Sequence, residues 1–141
     1  MTPQQTGLVQ TSFAKVVPIA DQAAALFYDR LFVIAPDVAP LFRGDMKAQG
    51  AKLMAALKTV IEGLDRVDVI VPVVRDLAKR HVAYGVKPEH YAAVGAALLW
   101  TLERGLGDDF TPEIAAAWAS AYGTLSGLMI EAAYPAGQRV A

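Results

Sequence analysis

The sequence predicts an all-α domain of six to eight helices, and three observations carry that prediction. Apolar residues recur at steps of three and four through most of the chain, the period of a helix with one buried face. The breaks between these stretches are helix punctuation: Ala35-Pro36, Gly44, Gly85 to Pro88, Gly105 to Gly107 and Thr111-Pro112. The one segment of strand-like composition, Val67 to Val74, contains Pro72, which cannot donate to an interior ladder. With 141 residues and 55% apolar content, the chain has the size of one domain with a generous interior.

Residues 3–18 read as a first helix with Leu8, Phe13 and Val16 or Val17 inward, ended or bent by Pro18. Asp21 is placed to cap a second helix, whose inward positions are Ala24, Phe27, Tyr28, Leu31 and Phe32. Ala35-Pro36 stops that helix, because the residue before proline is pushed out of the helical region. Pro36 to Phe42 then forms a short helical turn. After the loop Arg43-Gly44-Asp45, a long helix runs from about Met46 to Leu64. Its inward positions are Gln49, Leu53, Ala56 or Leu57, and Val60 or Ile61.

Asp65 to Asp68 is a polar break, and the next helix is expected to start near Pro72, with Val74, Leu77 and His81 on one face. Another follows from about Glu89 to Leu106, burying Tyr91, Val94, Leu98 and Leu102 and closed by Gly105 and Gly107. Thr111-Pro112-Glu113 opens the last helix with a capping hydroxyl, a proline at the first position and an acid near the positive end. That helix buries Ile114, Trp118, Tyr122, Leu125 and Met129 and ends at Tyr134-Pro135. The expected organisation is one domain over residues 1–134 and a frayed tail over 135–141.

Composition excludes several classes of function. Thirteen Lys and Arg against fourteen Asp and Glu leave no field strong enough to recruit nucleic acid or an anionic membrane. The absence of cysteine excludes disulfides, thiolate nucleophiles and thiolate-held metals, and it suits a reducing, cytoplasmic setting. Met1 to Lys15 has neither the basic start nor the apolar run of a secretion signal. Ile114 to Ile130 is 17 residues without a charge, with Gly123 and Gly127 in GxxxG spacing. It is short for a membrane span and carries Ser120, Tyr122, Thr124 and Ser126, so it reads as a buried helix whose glycines allow close approach.

The chemistry narrows to one histidine. Two histidines, no cysteine and no G-x-S-x-G argue against a hydrolytic triad, and the glycines form no phosphate-cradling loop. Neither HExxH nor Glu-x-x-His spacing is present for zinc or a di-iron centre. The acidic pair Asp108-Asp109 lies in a turn and reads as solvated.

What remains is His81 on an apolar stripe, with Tyr28 and Gln49 also expected inside. A neutral imidazole is the commonest protein ligand for a metal, although histidines on such stripes also serve as satisfied core residues. One axial imidazole in an apolar pocket is what a haem requires. A hydroxyl and an amide on the opposite wall suit a bound diatomic ligand that carries partial negative charge. The bland alternative is that Tyr28 and Gln49 find partners within the core.

Six motifs in order then resemble a family. They are Leu26-Phe27-Tyr28-x-x-Leu31-Phe32, Pro36-x-x-x-Pro40-Leu41-Phe42, Gln49-x-x-Lys52-Leu53-Met54, Lys79-Arg80-His81, His90-Tyr91-x-x-Val94-Gly95 and Ala117-Trp118-x-x-Ala121-Tyr122-Gly123. Together they resemble the single-domain bacterial haemoglobins, and equally the globin domain of the flavohaemoglobins. The resemblance runs from about residue 7 to residue 133. The spacings agree as a set: 6 residues from Pro36 to Phe42, 14 from Tyr28 to Phe42 and 32 from Gln49 to His81.

The resemblance implies a globin fold packed around haem b, iron protoporphyrin IX. It makes His81 the proximal iron ligand and Phe42 the ring that packs on the haem. Tyr28 and Gln49 become the distal pair that stabilises a bound ligand, Leu53 the apolar distal wall and Tyr91 the proximal-side tyrosine. Lys52, Lys79 and Arg80 are candidates to pair with the haem propionates. His90 also lies at a family-like position and is expected at the surface, at a helix start, rather than as a second ligand.

One departure matters. The family commonly has a glutamate on the last helix beside the proximal histidine, and the matching position here is Ala133. Glu131 is two residues early, about 200° away around the helix axis. The backbone carbonyl of Leu77, one turn back from His81, is the replacement expected.

The implied function is reversible binding of dioxygen, for transport or storage, with nitric oxide or carbon monoxide as further ligands. The alternative is oxidation of nitric oxide to nitrate with electrons from a separate reductase, since these 141 residues contain no flavin or nicotinamide module. A haem-free helical interaction module is the reading from another class.

Overall fold

The computed structural model describes residues 2–42, 44–83 and 85–133. Within them lie six α-helices and no strand: α1 (Pro3–Val16), α2 (Ala20–Ile34), α3 (Met46–Glu62), α4 (Val67–Ala83), α5 (His90–Leu106) and α6 (Pro112–Ala133). Short 3-10 turns occupy Val17–Ile19, Pro36–Leu41 and Gly107–Asp109. The tail expected over 135–141, with Tyr134 before it, lies outside the described residues.

Local chemistry sets most of the helix ends. Thr2 and Gln5 form a capping box, each side chain accepting from the other's backbone N–H at 3.1 Å. The Asp45 carboxylate accepts from Lys47 N–H at 3.0 Å, and the Thr111 hydroxyl from Ile114 N–H at 3.3 Å. Asp21 does not cap α2. The 3-10 turn at Val17–Ile19 runs directly into the helix, whose N-cap is Ile19, and leaves Asp21 inside the first turn near the positive helix end. Gly107, at φ +57°, closes α5, whereas Gly105 stays within the helix.

The largest departure from expectation is the start of α4, five residues before Pro72. The β-branched run is helical because Ile70, Val74 and Ala78 form one stripe buried with Met129 of α6 and Val60 of α3. Tertiary burial overrides the weak propensity of such residues. Pro72 is exposed, so the carbonyl it leaves without a helical donor faces water.

The layers follow from which faces are apolar. α2 packs on α5 and α3, α1 on α6, and α5 on α6. These contacts enclose the main core of Val9, Phe13, Phe27, Leu31, Leu98, Leu102 and Trp118. The Trp118 indole donates to Ser12 Oγ at 2.8 Å, which satisfies the buried N–H. α4 packs on α6 and belongs to the second, smaller cluster. The end of α3 meets α4, where Val60 joins the α4 stripe and Gly63 lies against Ile70.

Gly123 and Gly127 do not mediate a close helix crossing: both are exposed, with no atom within 4 Å of a Cβ built on either. The close approach is at Gly95, where a Cβ would lie 2.7 Å from Tyr122 Cε2. Tyr122 cannot easily yield, because its hydroxyl donates to the Tyr91 carbonyl at 2.6 Å. Gly95→Ala is therefore expected to destabilise the fold by about 1–3 kcal/mol through overpacking. The measurement is the denaturant midpoint, and an unchanged midpoint would mean that the Tyr122 ring moves aside. No helix among the described residues is long and apolar enough to cross a membrane.

Candidate functional site

The candidate residues form two walls, one carried by α2 and α3 and the other by α4 and α5, and they differ in chemistry. On the α2–α3 side the wall is aromatic. Tyr28 is buried, with its ring 5.0 Å from Phe27 and 5.2 Å from Phe42, both edge-on. Phe42 follows directly on the Pro36–Leu41 turn and also lies 5.5 Å from Phe32. The two prolines of that turn fix the φ angles that swing the chain from α2 back across the wall.

The polar groups on this wall find each other across two helices. Gln49, one turn into α3, directs its amide N–H at the Tyr28 hydroxyl oxygen, 3.4 Å away. Burial pushes the Tyr28 hydroxyl above its ordinary pKa, and the Gln49 hydrogen bond pulls part of the way back. Tyr28 is thus a neutral donor at physiological pH. Because its oxygen accepts from Gln49, its own proton can be given to a third group. Leu53, half-buried one turn after Gln49, joins the same apolar cluster, while its neighbour Lys52 is exposed.

On the α4 side, His81 sits at the margin of the buried stripe and is half-buried rather than enclosed in the core. Its Nδ1 lies 2.7 Å from the Leu77 carbonyl oxygen. A carbonyl only accepts, so Nδ1 bears the proton and the lone pair is on Nε2, the tautomer in which a histidine can ligate. The Tyr91 ring stacks beside the imidazole at 6.5 Å and 27°. Tyr91 is buried, and α5 holds it there with help from the Tyr122 hydroxyl on its carbonyl. Burial and the proximity of Tyr91 push the Tyr122 hydroxyl well above its usual range. Arg80 pairs with Asp76 one turn back, and Lys79 is exposed. At the end of α6, Ala133 supplies no carboxylate and Glu131 is exposed.

Tyr28, Gln49 and Phe42 thus come together on one wall, and His81, Leu77 and Tyr91 on the other. His90 is not the surface residue expected from sequence. It is 7% exposed, with Nδ1 accepting from Lys87 N–H at 3.0 Å and Nε2 lying 3.1 Å from Asp37 Oδ2. Its imidazole thereby ties the Lys87 backbone, just before α5, to the first residue of that helix. Nothing in the spacing of Asp37 and His90, 53 residues apart, signals their pairing.

The donor set fits a haem. Among the described residues there is no group of three or more His, Cys, Asp or Glu side chains that could hold a bare ion. A metal at His81 would therefore take its other ligands from a macrocycle, and apolar walls with one aromatic face suit such a ring.

Comparison with known proteins agrees with this geometry. The family model described as Globin matches residues 25–129. The chain is 34% identical over 133 residues to a flavohemoprotein of Bordetella parapertussis, a match that covers 92% of this chain and 33% of the relative. It is 36% identical over 107 residues to a flavohemoprotein of Bacillus subtilis, covering 74% of this chain and 27% of that protein. A flavohemoprotein of Deinococcus radiodurans is 32% identical over 133 residues, covering 92% and 33% respectively. The chain thus spans about a third or less of the length of these relatives. Since the matched pattern extends from α2 to the last turns of α6 and takes in Tyr28, Gln49, His81 and Tyr91, the chain belongs to the globin family.

Proposed function

We propose that the protein is a haem-binding globin that takes up dioxygen reversibly. The observation that carries this reading is the Gln49–Tyr28 pair, two polar side chains bonded to each other within an otherwise apolar and aromatic wall. Haem b, when bound, supplies the iron at which a diatomic gas is held. His81 presents Nε2 for ligation while Leu77 fixes its orientation, and Phe42 packs against the ring. Tyr28 would donate a hydrogen bond to the bound gas while keeping its proton, and Gln49 keeps the phenol oxygen turned toward α3. Leu53 excludes water from the same wall. Lys52 and Lys79 are assigned to the propionates; Arg80, already paired with Asp76, is the weaker candidate. Carbon monoxide and nitric oxide are expected to bind at the same place. The cysteine-free composition suits a reducing compartment, and we place the protein in the cytoplasm.

The test is an absorption spectrum of the purified protein with added haem, followed by reduction and exposure to dioxygen. A Soret band that shifts reversibly with dioxygen is the expected result. No Soret band after haem addition would leave only the helical interaction module.

A second reading is favoured by the relatives, which are flavohemoproteins. Here dioxygen oxidises nitric oxide to nitrate, supplying both added oxygen atoms, and a flavoprotein reductase that these 141 residues do not provide would supply the electron that returns the haem iron to the ferrous state. Sustained nitric oxide consumption with a supplied reductase and reduced nicotinamide, well above the reductase alone, would establish it.

A further inference from the structure

We propose that His90 is a positioning residue that ties the turn leading into Phe42 to the start of α5, and that its bond to Asp37 governs how long haem is retained; this rests on the haem reading above. The imidazole is buried and uses both of its nitrogens. Nδ1 accepts from Lys87 N–H at 3.0 Å, and Nε2–H donates to Asp37 Oδ2 at 3.1 Å. Only one neutral tautomer makes both bonds, so the ring has a single satisfied orientation.

The partners connect the two walls. Asp37 lies in the Pro36–Leu41 turn, which leads into Phe42 on the Tyr28 wall. His90 is followed directly by Tyr91, whose ring stacks on His81. One hydrogen bond therefore joins the turn that carries Phe42 to the helix start that carries the neighbour of the proximal histidine. A second tie lies alongside. Gly85, at φ +93°, passes so close to Leu41 that a Cβ would lie 3.2 Å from its Cδ2. These contacts are where the turn meets the α4–α5 connection.

The energetics are asymmetric. The Asp37 side chain is 72% exposed and returns to water when the bond breaks, whereas that of His90 is 9% exposed and is left with a buried unpaired N–H. The cost of parting falls on the His90 side. A flat cofactor held between two walls leaves when the walls separate, so the clasp acts on the rate of haem loss.

The experiment loads the full chain with haem and follows haem loss to an excess of apomyoglobin. Asp37→Ala and His90→Asn should each speed loss roughly ten-fold, the factor expected when a charge-assisted hydrogen bond to a buried group is removed. Asn can still accept from Lys87 N–H but cannot reach Asp37, whereas Gln at position 90 can place an amide N–H near the former Nε2. His90→Gln should therefore recover part of the retention. Two readouts need no haem: the 15N shifts of His90 in the apoprotein should report the Nε2–H tautomer, and the Lys87 amide should lose exchange protection when His90 is replaced by Ala. Because Asp37 is exposed, Asp37→Ala is expected to fold even where a His90 variant does not. Wild-type haem loss in Asp37→Ala overturns the clasp while leaving the haem reading intact. A wild-type protein that takes up no haem overturns that reading instead and removes the retention role with it.

Discussion

Replacing His81 with alanine is expected to abolish stable haem retention while leaving the helical fold largely intact. The two effects separate because His81 lies at the edge of the α4 stripe. Ile70, Val74 and Ala78 carry the packing of that helix and are all 5% exposed or less, whereas His81 is half-buried. Loss of a half-buried side chain outside such a stripe should shift apoprotein stability by no more than about 1 kcal/mol. Loss of the imidazole proposed to hold the iron should weaken haem binding by more than the roughly 10–100-fold that removing an outer partner of a metal ligand typically costs. The measurements are the Soret absorbance after gel filtration and the melting temperature of the apoprotein. Added imidazole should restore part of the retention by filling the vacated space. A variant that keeps its haem through gel filtration would show that His81 is not the ligand.

The second large effect is on ligand release. Tyr28→Phe should accelerate dioxygen dissociation by about 10–100-fold, the range for a hydrogen bond of some 1.5–3 kcal/mol to a charge-bearing acceptor. The substitution keeps the ring that meets Phe27 and Phe42 edge-on, so the change isolates the hydroxyl. Stopped-flow displacement of dioxygen by carbon monoxide reads the rate directly. Carbon monoxide dissociation should change far less, because that ligand accumulates little negative charge. Gln49→Leu should produce a smaller acceleration, since Gln49 reaches the ligand through the phenol it bonds. Equal dissociation rates in wild type and Tyr28→Phe would remove the proposed donor.

The helices and their buried faces were legible because period and punctuation are local. Phe27, Tyr28 and Leu31, at helical spacing, are buried on α2, and the Thr111-Pro112-Glu113 start of α6 lies where its chemistry places it. Failures arose where a distant partner decides the local outcome. Pro72 was read as a boundary, yet α4 begins five residues earlier because α6 and the end of α3 bury Ile70 and Val74. The spacing of Gly123 and Gly127 suggested a tight crossing, but those glycines are exposed and Gly95 is the small residue under Tyr122. His90 was legible as a position and not as a contact, since Asp37 enters its surroundings from another wall. The residues of the candidate site are legible through the order and spacing of six motifs that resemble a family. Periodicity alone offered a histidine on an apolar stripe and no account of what lies opposite it.

The dependence of α4 on α6 has a consequence for synthesis in the cell. α4 has no comparable packing partner among the other helices, and 50 residues separate its last residue, Ala83, from Ala133 at the end of α6. At roughly 5–20 residues per second, that interval leaves α4 waiting a few seconds on the ribosome with its valines uncovered. Meanwhile α2, α3 and α5 can already assemble the wall that holds Tyr28 and Gln49. The side of the molecule that carries His81 is thus completed after the Tyr28 wall, once α6 has emerged.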